Sequence, residues 1–102
     1  MGNSNYRKGT KREYKIIFDA VFKTTKRRYT SLREINKKEK DLVCIRSAGS
    51  HSDVDCVIID KINKKIRLIQ AKPDSMNEHQ RQKLRDENKD LNGNFKVSFS
   101  VV

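Results

Sequence analysis

Hydrophobic residues early in the chain recur with the period of an α-helix. In the stretch TKREYKIIFDAVFK, residues 10–23, the apolar positions are Tyr14, Ile17, Phe18, Val21 and Phe22. Their i, i+3, i+4, i+7, i+8 spacing places all five on one face of a helix. Thr10 and Glu13 have the spacing of a capping box, so the helix is predicted to begin there. The preceding residues 1–9 are polar, contain two glycines and are predicted to be a flexible start.

Four further stretches show the apolar runs or the alternation of β-strands. Residues 41–47 (DLVCIRS) predict the first strand, and residues 54–60 and 65–72 predict a β-hairpin. Pro73 follows the hairpin and cannot donate a backbone hydrogen bond, so it marks the exit from the sheet. Near the end of the sequence, FKVSFSVV alternates polar residues with apolar Phe95, Val97, Phe99 and Val101. This alternation predicts a last strand with one buried face.

Two polar segments carry signals for helix starts. Ser31 and Glu34 have capping-box spacing inside the basic connecting segment 23–41, which predicts either a short second helix or a solvated, DNA-facing stretch. Ser75 and Glu78 repeat that spacing and predict a polar helix. The resulting order is one or two helices, then β, β, β, α and β. It predicts a single α/β domain over residues 1–102, with a sheet flanked by helices.

The charge of the chain indicates a polyanionic partner. There are 24 Lys and Arg residues against 13 Asp and Glu, a formal net charge of +11 in only 102 residues. Such an excess favours nucleic acid as the partner, ahead of an acidic membrane surface or a merely soluble basic protein. The hydrophobic fraction is 34%, so the core is predicted to be small, and a partner subunit could add burial.

The sequence contains no apolar run long enough to span a bilayer and no signal-peptide pattern, which predicts a cytoplasmic location without membrane contact. Cys44 and Cys56 lie inside the apolar strand-like runs. They are therefore expected to be small buried hydrophobic residues rather than a disulfide. Together with His51 and His79 they do not have the spacing of a zinc site.

The predicted hairpin brings polar residues together at one end of two hydrophobic strands. If the turn is centred on Ile62-Asn63 with a four-residue loop, Asp55 lies opposite Gln70 and Asp53 lies opposite Lys72. Directly opposed side chains share a face of the sheet, with Cβ atoms about 4.5–5.5 Å apart. A carboxylate, an amide oxygen and an ammonium group are thus predicted to converge.

Two interpretations fit this convergence. Oxygen ligands suit a divalent cation, and a nearby positive charge can orient the water that the cation activates. Asp55, Gln70 and Lys72 therefore have the residue types of a hydrolytic metal site. The alternative is a simple Asp–Lys ion pair at the edge of the sheet. Asp53 is the other carboxylate that could serve as the ligand.

The same residues carry a resemblance to a known family. An Asp followed by a hairpin and Gln70-Ala71-Lys72 resembles the signature of the PD-(D/E)xK nuclease superfamily. RKGTKRE at 7–13 resembles the Arg-Lys-Gly…Glu opening of archaeal-type Holliday junction resolvases. IRSAGS at 45–50, followed shortly by Val54-Asp55, resembles their first core strand and glycine loop. The resemblance covers most of the chain except residues 23–41, which look longer than the family's connection.

The resemblance implies a restriction-endonuclease-like fold, in which helices flank a mixed β-sheet. It implies a homodimeric, structure-selective endonuclease that resolves Holliday junctions by paired phosphodiester hydrolysis. The cofactor would be Mg²⁺, for which Mn²⁺ can substitute. Glu13, Asp55 and Gln70, with the Ala71 carbonyl, would hold the metal, and Lys72 would be the catalytic lysine.

The DNA-binding residues are expected to be basic or small and polar. Arg7, Lys8 and Arg46 match family positions that hold phosphates, and Ser50 matches a serine near the cleaved strand. The basic segment adds candidate phosphate contacts, for which an ordinary solvated face is the alternative: Lys26, Arg27 and Arg28.

Two features keep other functions open. The family's resolvases usually have Glu where this chain has Gln70, and the Gln-x-Lys form resembles Mrr-like restriction nucleases. One alternative is an Mrr-like or viral nuclease that cuts duplex or flap DNA; a viral nuclease would act in the host cell. The other alternative is a catalytically silent DNA-binding module on the same fold. In addition, Glu13 is the N3 residue of the capping box with Thr10, and a carboxylate that caps its helix is not free to bind metal.

Overall fold

The centre of the fold is a three-stranded antiparallel sheet. A computed structural model of the chain describes the backbone of residues 3–47, 52–93 and 95–102, and the side chains of these residues from Gly9 onward. Within them the strands are β1 (Leu42–Arg46), β2 (Cys56–Asp60) and β3 (Lys65–Ile69). The order across the sheet is β1-β2-β3, so β2 is central and the other two strands are edges.

Three α-helices accompany the sheet in the described part of the chain. They are α1 (Asn3–Thr25), α2 (Leu32–Lys38) and α3 (Glu78–Glu87), and a short 3-10 helix, Lys89–Leu91, follows α3. The predicted class, a small mixed α/β fold, is confirmed at this level. None of the helices in the described ranges is long and apolar enough to cross a membrane.

The core lies between α1, α2 and one face of the sheet. Its buried residues are Ile17, Val21, Ile35, Leu42, Cys44, Cys56 and Ile58. On β1 and β2 the buried residues alternate with more exposed ones, as expected for strands with one covered face. Both cysteines are free thiols and buried, which confirms that they act as small hydrophobic residues.

The register of the hairpin is the one predicted. Cys56 pairs with Ile69 and Asp60 pairs with Lys65, which leaves the four residues 61–64 as the turn. The Asp60 carboxylate accepts hydrogen bonds from the backbone N–H groups of Ile62 at 3.0 Å and Asn63 at 3.1 Å. Together with the Asn63 side chain, these bonds lower the pKa of Asp60 and fix the turn.

The basic connecting segment contains a helix, the first of the two structures predicted for it. Ser31 caps α2, and its hydroxyl accepts a hydrogen bond from the Glu34 N–H at 3.1 Å. Asn36 on α2 then holds the edge of β1. Its Nδ2 donates to the Cys44 carbonyl at 2.9 Å and its Oδ1 accepts from the Cys44 N–H at 2.8 Å. One side chain thus replaces part of a neighbouring strand at an edge that would otherwise be unpaired.

Helix α1 begins earlier than predicted. Its first residue is Asn3, inside the stretch predicted as a flexible start, so Thr10 lies within the helix rather than at its N-cap. The capping box predicted for Thr10 and Glu13 is therefore wrong. Residues 3–9 contain only one large apolar residue, so hydrophobic periodicity gives no signal there. The Glu13 carboxylate is consequently not needed for capping.

Helix α3 also has a different cap. Asn77 is the N-cap, and its side chain accepts a hydrogen bond from the Gln80 N–H at 2.8 Å. The Gln80 side chain accepts in return from the Asn77 N–H at 3.3 Å. The capping box predicted at Ser75 and Glu78 is wrong because the same chemistry is met two residues later.

The predicted last strand is absent from the described residues. Residues 95–102 have no regular secondary structure, and Phe95 and Phe99 are 59% and 91% exposed. The predicted mixed sheet is therefore an antiparallel one over the residues that are described. An alternating segment becomes a strand only when it pairs with an edge and buries its apolar face, and this segment does neither here.

Candidate active site

Asp55 and Gln70 lie directly beyond the last paired residues of the hairpin. Cys56 is opposite Ile69, and the Asp55 N–H also donates to the Ile69 carbonyl at 2.7 Å, so two successive residues of one strand face the same residue of β3. This departs by one residue from the predicted opposition of Asp55 and Gln70. The Asp55 Oδ2 accepts a hydrogen bond from the Ala71 N–H at 2.8 Å, which holds the acid beside the Gln70-Ala71-Lys72 segment.

Asp53 approaches Gln70 rather than its predicted partner, Lys72. Gln70 Nε2 donates to Asp53 Oδ1 at 3.4 Å, near the limit of a hydrogen bond, and both side chains are accessible to solvent. The amide nitrogen faces a carboxylate, so the amide oxygen is the Gln70 atom suited to a cation. Asp53 thus reaches the Gln70 side chain, and Asp55, at 2.8 Å from the Ala71 nitrogen, is the more firmly held.

Glu13 reaches the same end of the sheet from α1. Its backbone carbonyl accepts a weak hydrogen bond from the Cys56 thiol at 3.9 Å, which places this turn of the helix over the start of β2. Its carboxylate accepts from Arg46 Nη1 at 3.0 Å, and the side chains of this ion pair are only 17% and 13% exposed. Arg46 is opposite Cys56 in the sheet, so the pair ties α1 to β1.

The Cys56 thiol lies beside the residues that carry the two acids. It donates to the Glu13 carbonyl, and Asp55 is the preceding residue of the chain. Burial and, after it, the negative charges of Glu13 and Asp55 raise the pKa of Cys56 to about 11. Glu13 and Asp55 thus approach the start of β2 from α1 and from the chain before β2.

Lys72 lies in a groove between α1 and the chain leaving β3, which we call the basic groove. It has a volume of about 850 Å³. Gln70, Ala71 and Lys72 line one side, and α1 supplies Lys11, Arg12 and Lys15 on the other. The Gln70-Ala71-Lys72 part of the candidate site thus borders a surface rich in the positive charge that a phosphate backbone needs.

The donor set matches the preference of Mg²⁺ for oxygen. The available groups are the carboxylates of Glu13 and Asp55, the Gln70 amide oxygen and the Ala71 carbonyl. Over the described residues, no group of three or more His, Cys, Asp and Glu side chains is placed to hold a metal ion. A metal here would depend on the amide and the backbone carbonyl as well as the acids, and Glu13 would have to share its carboxylate with Arg46 or leave it.

The remaining predicted DNA contacts fall into two groups. Ser50 and the side chains of Arg7 and Lys8 lie outside the described residues. In the basic segment, Arg27 forms a two-pronged ion pair with Glu39, at 2.6 and 2.9 Å. Arg28 pairs with Asp19 at 3.2 Å. The guanidinium of Arg28 lies 3.9 Å from the centroid of the Phe22 ring, and Lys26 Nζ lies 6.0 Å from it. DNA contact by these residues stays a prediction, and Arg27 has a structural partner already.

Glu39 was not singled out by the sequence, although it is the buried charged residue of the described chain, 7% exposed. The hydrogen bonds from Arg27 and then from Tyr29 lower the pKa of Glu39 to about 2. A single acid within the basic run KKEK was the available signal, because an isolated acid among cations is often a partner for one of them.

Comparison of the chain with protein-family models, with characterised proteins and with solved structures finds no match.

Proposed function

We propose that the protein is a metal-dependent DNA endonuclease with a restriction-endonuclease-like fold that acts on branched DNA, with the Holliday junction as its substrate. The observation that carries this proposal is the placement of Asp55. Its carboxylate accepts from the Ala71 N–H at 2.8 Å, which places it beside the Gln70-Ala71-Lys72 segment. The basic groove next to these residues supports a nucleic-acid substrate.

Each residue has a role that its surroundings support. Asp55, the Gln70 amide oxygen and the Ala71 carbonyl would hold Mg²⁺. Glu13 would become a further ligand when its carboxylate is released from the ion pair with Arg46. The bound ion would lower the pKa of a water ligand and offset charge on the scissile phosphate. The Ala71 N–H orients Asp55. Lys72 would hold the attacking water and offset negative charge on the phosphate, and the basic groove would hold the flanking phosphates.

The active form would be a homodimer, since a four-way junction has near two-fold symmetry and needs two matched cuts. The exposed apolar residues of 95–101 support a contact between two copies, because Val97 and Val101 are 72% and 87% exposed. Light scattering tests this part of the proposal. Wild type should have the mass of a dimer and Val97→Lys that of a monomer, whereas a monomeric wild type would refute the dimer.

A cleavage assay tests the nuclease. A synthetic four-way junction, a duplex and a flap are incubated with the protein in Mg²⁺ or in EDTA. Wild type should make paired, symmetric nicks only in the junction and only with Mg²⁺. Asp55→Asn should cut nothing, and Asp90→Asn, which removes an exposed acid near the end of the 3-10 helix, should cut as wild type does. Cutting of the linear duplex or of the flap would instead indicate an Mrr-like or viral nuclease.

A catalytically silent DNA-binding module is the second candidate, and one observation favours it. The Glu13 carboxylate is engaged by Arg46, and the third ligand is the neutral Gln70. Binding of the junction without cleavage in both Mg²⁺ and Mn²⁺ would establish this function in place of the nuclease.

A further inference from the structure

Three aromatic rings that are scattered in the sequence meet between α1 and the loop before α2. Tyr14 and Phe18 are one helical turn apart on α1 and stack with their centroids 5.9 Å apart and their planes 20° apart. Tyr29 comes from the loop before α2, and all three rings line one groove. We call it the aromatic groove, defined by Tyr14, Phe18 and Tyr29.

The third ring is held in place by hydrogen bonds and an ion pair around the buried Glu39. The Tyr29 hydroxyl donates to Glu39 Oε1 at 2.7 Å, and Arg27 holds both oxygens of the same carboxylate. Glu39 is nearly inaccessible to solvent. Because its partners are fixed, the Tyr29 ring is positioned before any ligand arrives, which lowers the entropic cost of binding a flat group against it.

The rim of the aromatic groove is positively charged. Lys11 and Lys15 come from α1, Arg28 from the loop and Arg33 from α2, while Asp19 is the acid among the lining residues. Flat apolar rings inside and cations around them suit an occupant that is both planar and anionic. The groove has a volume of about 780 Å³, within the range of roughly 300–1,000 Å³ typical of ligand sites.

The aromatic groove continues into the basic groove. Lys11, Lys15 and Asp19 line both of them, so a ligand can pass from one to the other across the side of α1 that carries these residues. Arg46, which pairs with Glu13, lies beside one ring of the aromatic groove, with its guanidinium 5.0 Å from the centroid of the Tyr14 ring. A polyanionic strand that binds beside Lys72 in the basic groove therefore lies next to the aromatic groove.

We propose that the aromatic groove binds an unpaired nucleotide of the DNA strand that occupies the basic groove. The inference rests on the proposed action on DNA and narrows the substrate to DNA with unstacked bases beside the site. In a duplex the base faces are covered by their neighbours in the stack. Only an unpaired base can place a face on an aromatic ring, whatever its sequence.

The test measures binding in EDTA, so that cleavage plays no part. Fluorescence anisotropy compares a labelled duplex with the same duplex carrying a single-stranded tail. Wild type should bind the tailed DNA more tightly. Tyr14→Leu should weaken tailed-DNA binding by about five-fold or more, the loss expected when one base loses one stacking ring. Tyr14→Phe keeps the ring and should bind as wild type does.

A second pair of variants does not depend on the packing of a ring. Arg33→Glu reverses a rim charge on the exposed surface of α2, and Lys37→Glu makes the same change on that helix away from the groove. Arg33→Glu should lower the affinity for the tailed DNA more than Lys37→Glu does. Duplex binding should be equal for Tyr14→Leu and wild type, which also shows that the variant is folded.

The outcomes separate the inference from the proposed function. If wild type binds duplex and tailed DNA equally, or if Tyr14→Leu and Arg33→Glu lose no affinity specific to the tail, the aromatic groove is not a nucleotide site, although the nuclease proposal survives. If wild type binds neither the duplex nor the tailed DNA, both the nucleotide site and the proposed nuclease function are refuted.

Discussion

Arg46 decides whether Glu13 can be a metal ligand, and Arg46→Met therefore tests the site most directly. The guanidinium holds the Glu13 carboxylate at 3.0 Å in a pair that is mostly shielded from solvent. Methionine keeps an unbranched apolar side chain beside Tyr14 but removes the charge. The variant should bind Mg²⁺ or Mn²⁺ more tightly than wild type, because a carboxylate without a partner is free to coordinate and a repelling cation is gone.

The size of the effect follows from the geometry. A metal–oxygen bond of about 2.1 Å, added to the 3.0 Å ion-pair distance, puts a dication on Glu13 within about 5 Å of the guanidinium. Even with the full screening of water, the weakest case for a pair that is shielded from solvent, a charge of +2 and a charge of +1 at about 5 Å repel by roughly 1.5–2 kcal/mol. Removing that repulsion should tighten metal binding by roughly ten- to thirty-fold, since each 1.4 kcal/mol is a factor of ten.

Isothermal titration with Mn²⁺ or Mg²⁺ and no DNA measures this affinity. Lys65→Met is the matched control, because it removes one positive charge at the turn end of the hairpin, where Lys65 is opposite Asp60. It should change the affinity by less than about two-fold at physiological salt, where charges more than about 8 Å away are largely screened. Adding Asp55→Asn to Arg46→Met should remove the gain.

An unchanged metal affinity in Arg46→Met would refute the assignment of Glu13 as a ligand. A gain that persists in the double variant with Asp55→Asn would show instead that the metal sits elsewhere.

Three other predictions address catalysis, packing and pH. Lys72→Ala should abolish cleavage and leave junction affinity nearly intact, and retained activity would remove this lysine from the mechanism. Asn36→Ala should lower the free energy of unfolding in urea by about 1–2 kcal/mol, the net value of its two hydrogen bonds to Cys44, while Lys37→Ala should not. Glu39 has a pKa of about 2 against an ordinary 4.5, so its stabilisation is present above about pH 4.5 and lost as the pH falls toward 2. The urea midpoint should fall across that window, and it should fall less for Glu39→Gln.

The hairpin shows what the sequence could predict. Its register depends on a four-residue turn and on which residues lie opposite each other, and both are local properties. The predicted pairs beyond the strands were wrong. Asp55 faces Ile69 and Ala71 rather than Gln70, and Asp53 contacts Gln70 rather than Lys72. These residues lie beyond the paired strands, where the regular register no longer fixes the partner.

The contacts that sequence reasoning missed join residues of different elements. Glu13 with Arg46 spans α1 and β1, and Tyr29 with Glu39 spans the two ends of α2. A charged residue in a basic chain has many possible partners, and only the packing of the helices on the sheet selects one. The aromatic groove has the same origin, since its rings gather only when α1 and the loop before α2 are side by side.

The alternating segment 95–101 also separates a local property, which the sequence predicts, from a contact between elements, which it does not. Alternation specifies which residues share a face but not the edge that they pair with. In this structure β3 is an edge strand on which Ile66 and Leu68 are 47% and 39% exposed, and α3, which borders a groove together with β3, has no buried residue. The β3 side chains Ile66 and Leu68 and the segment are apolar and exposed. A second copy that places its segment against the β3 edge would cover both, which is the physical basis for the proposed dimer.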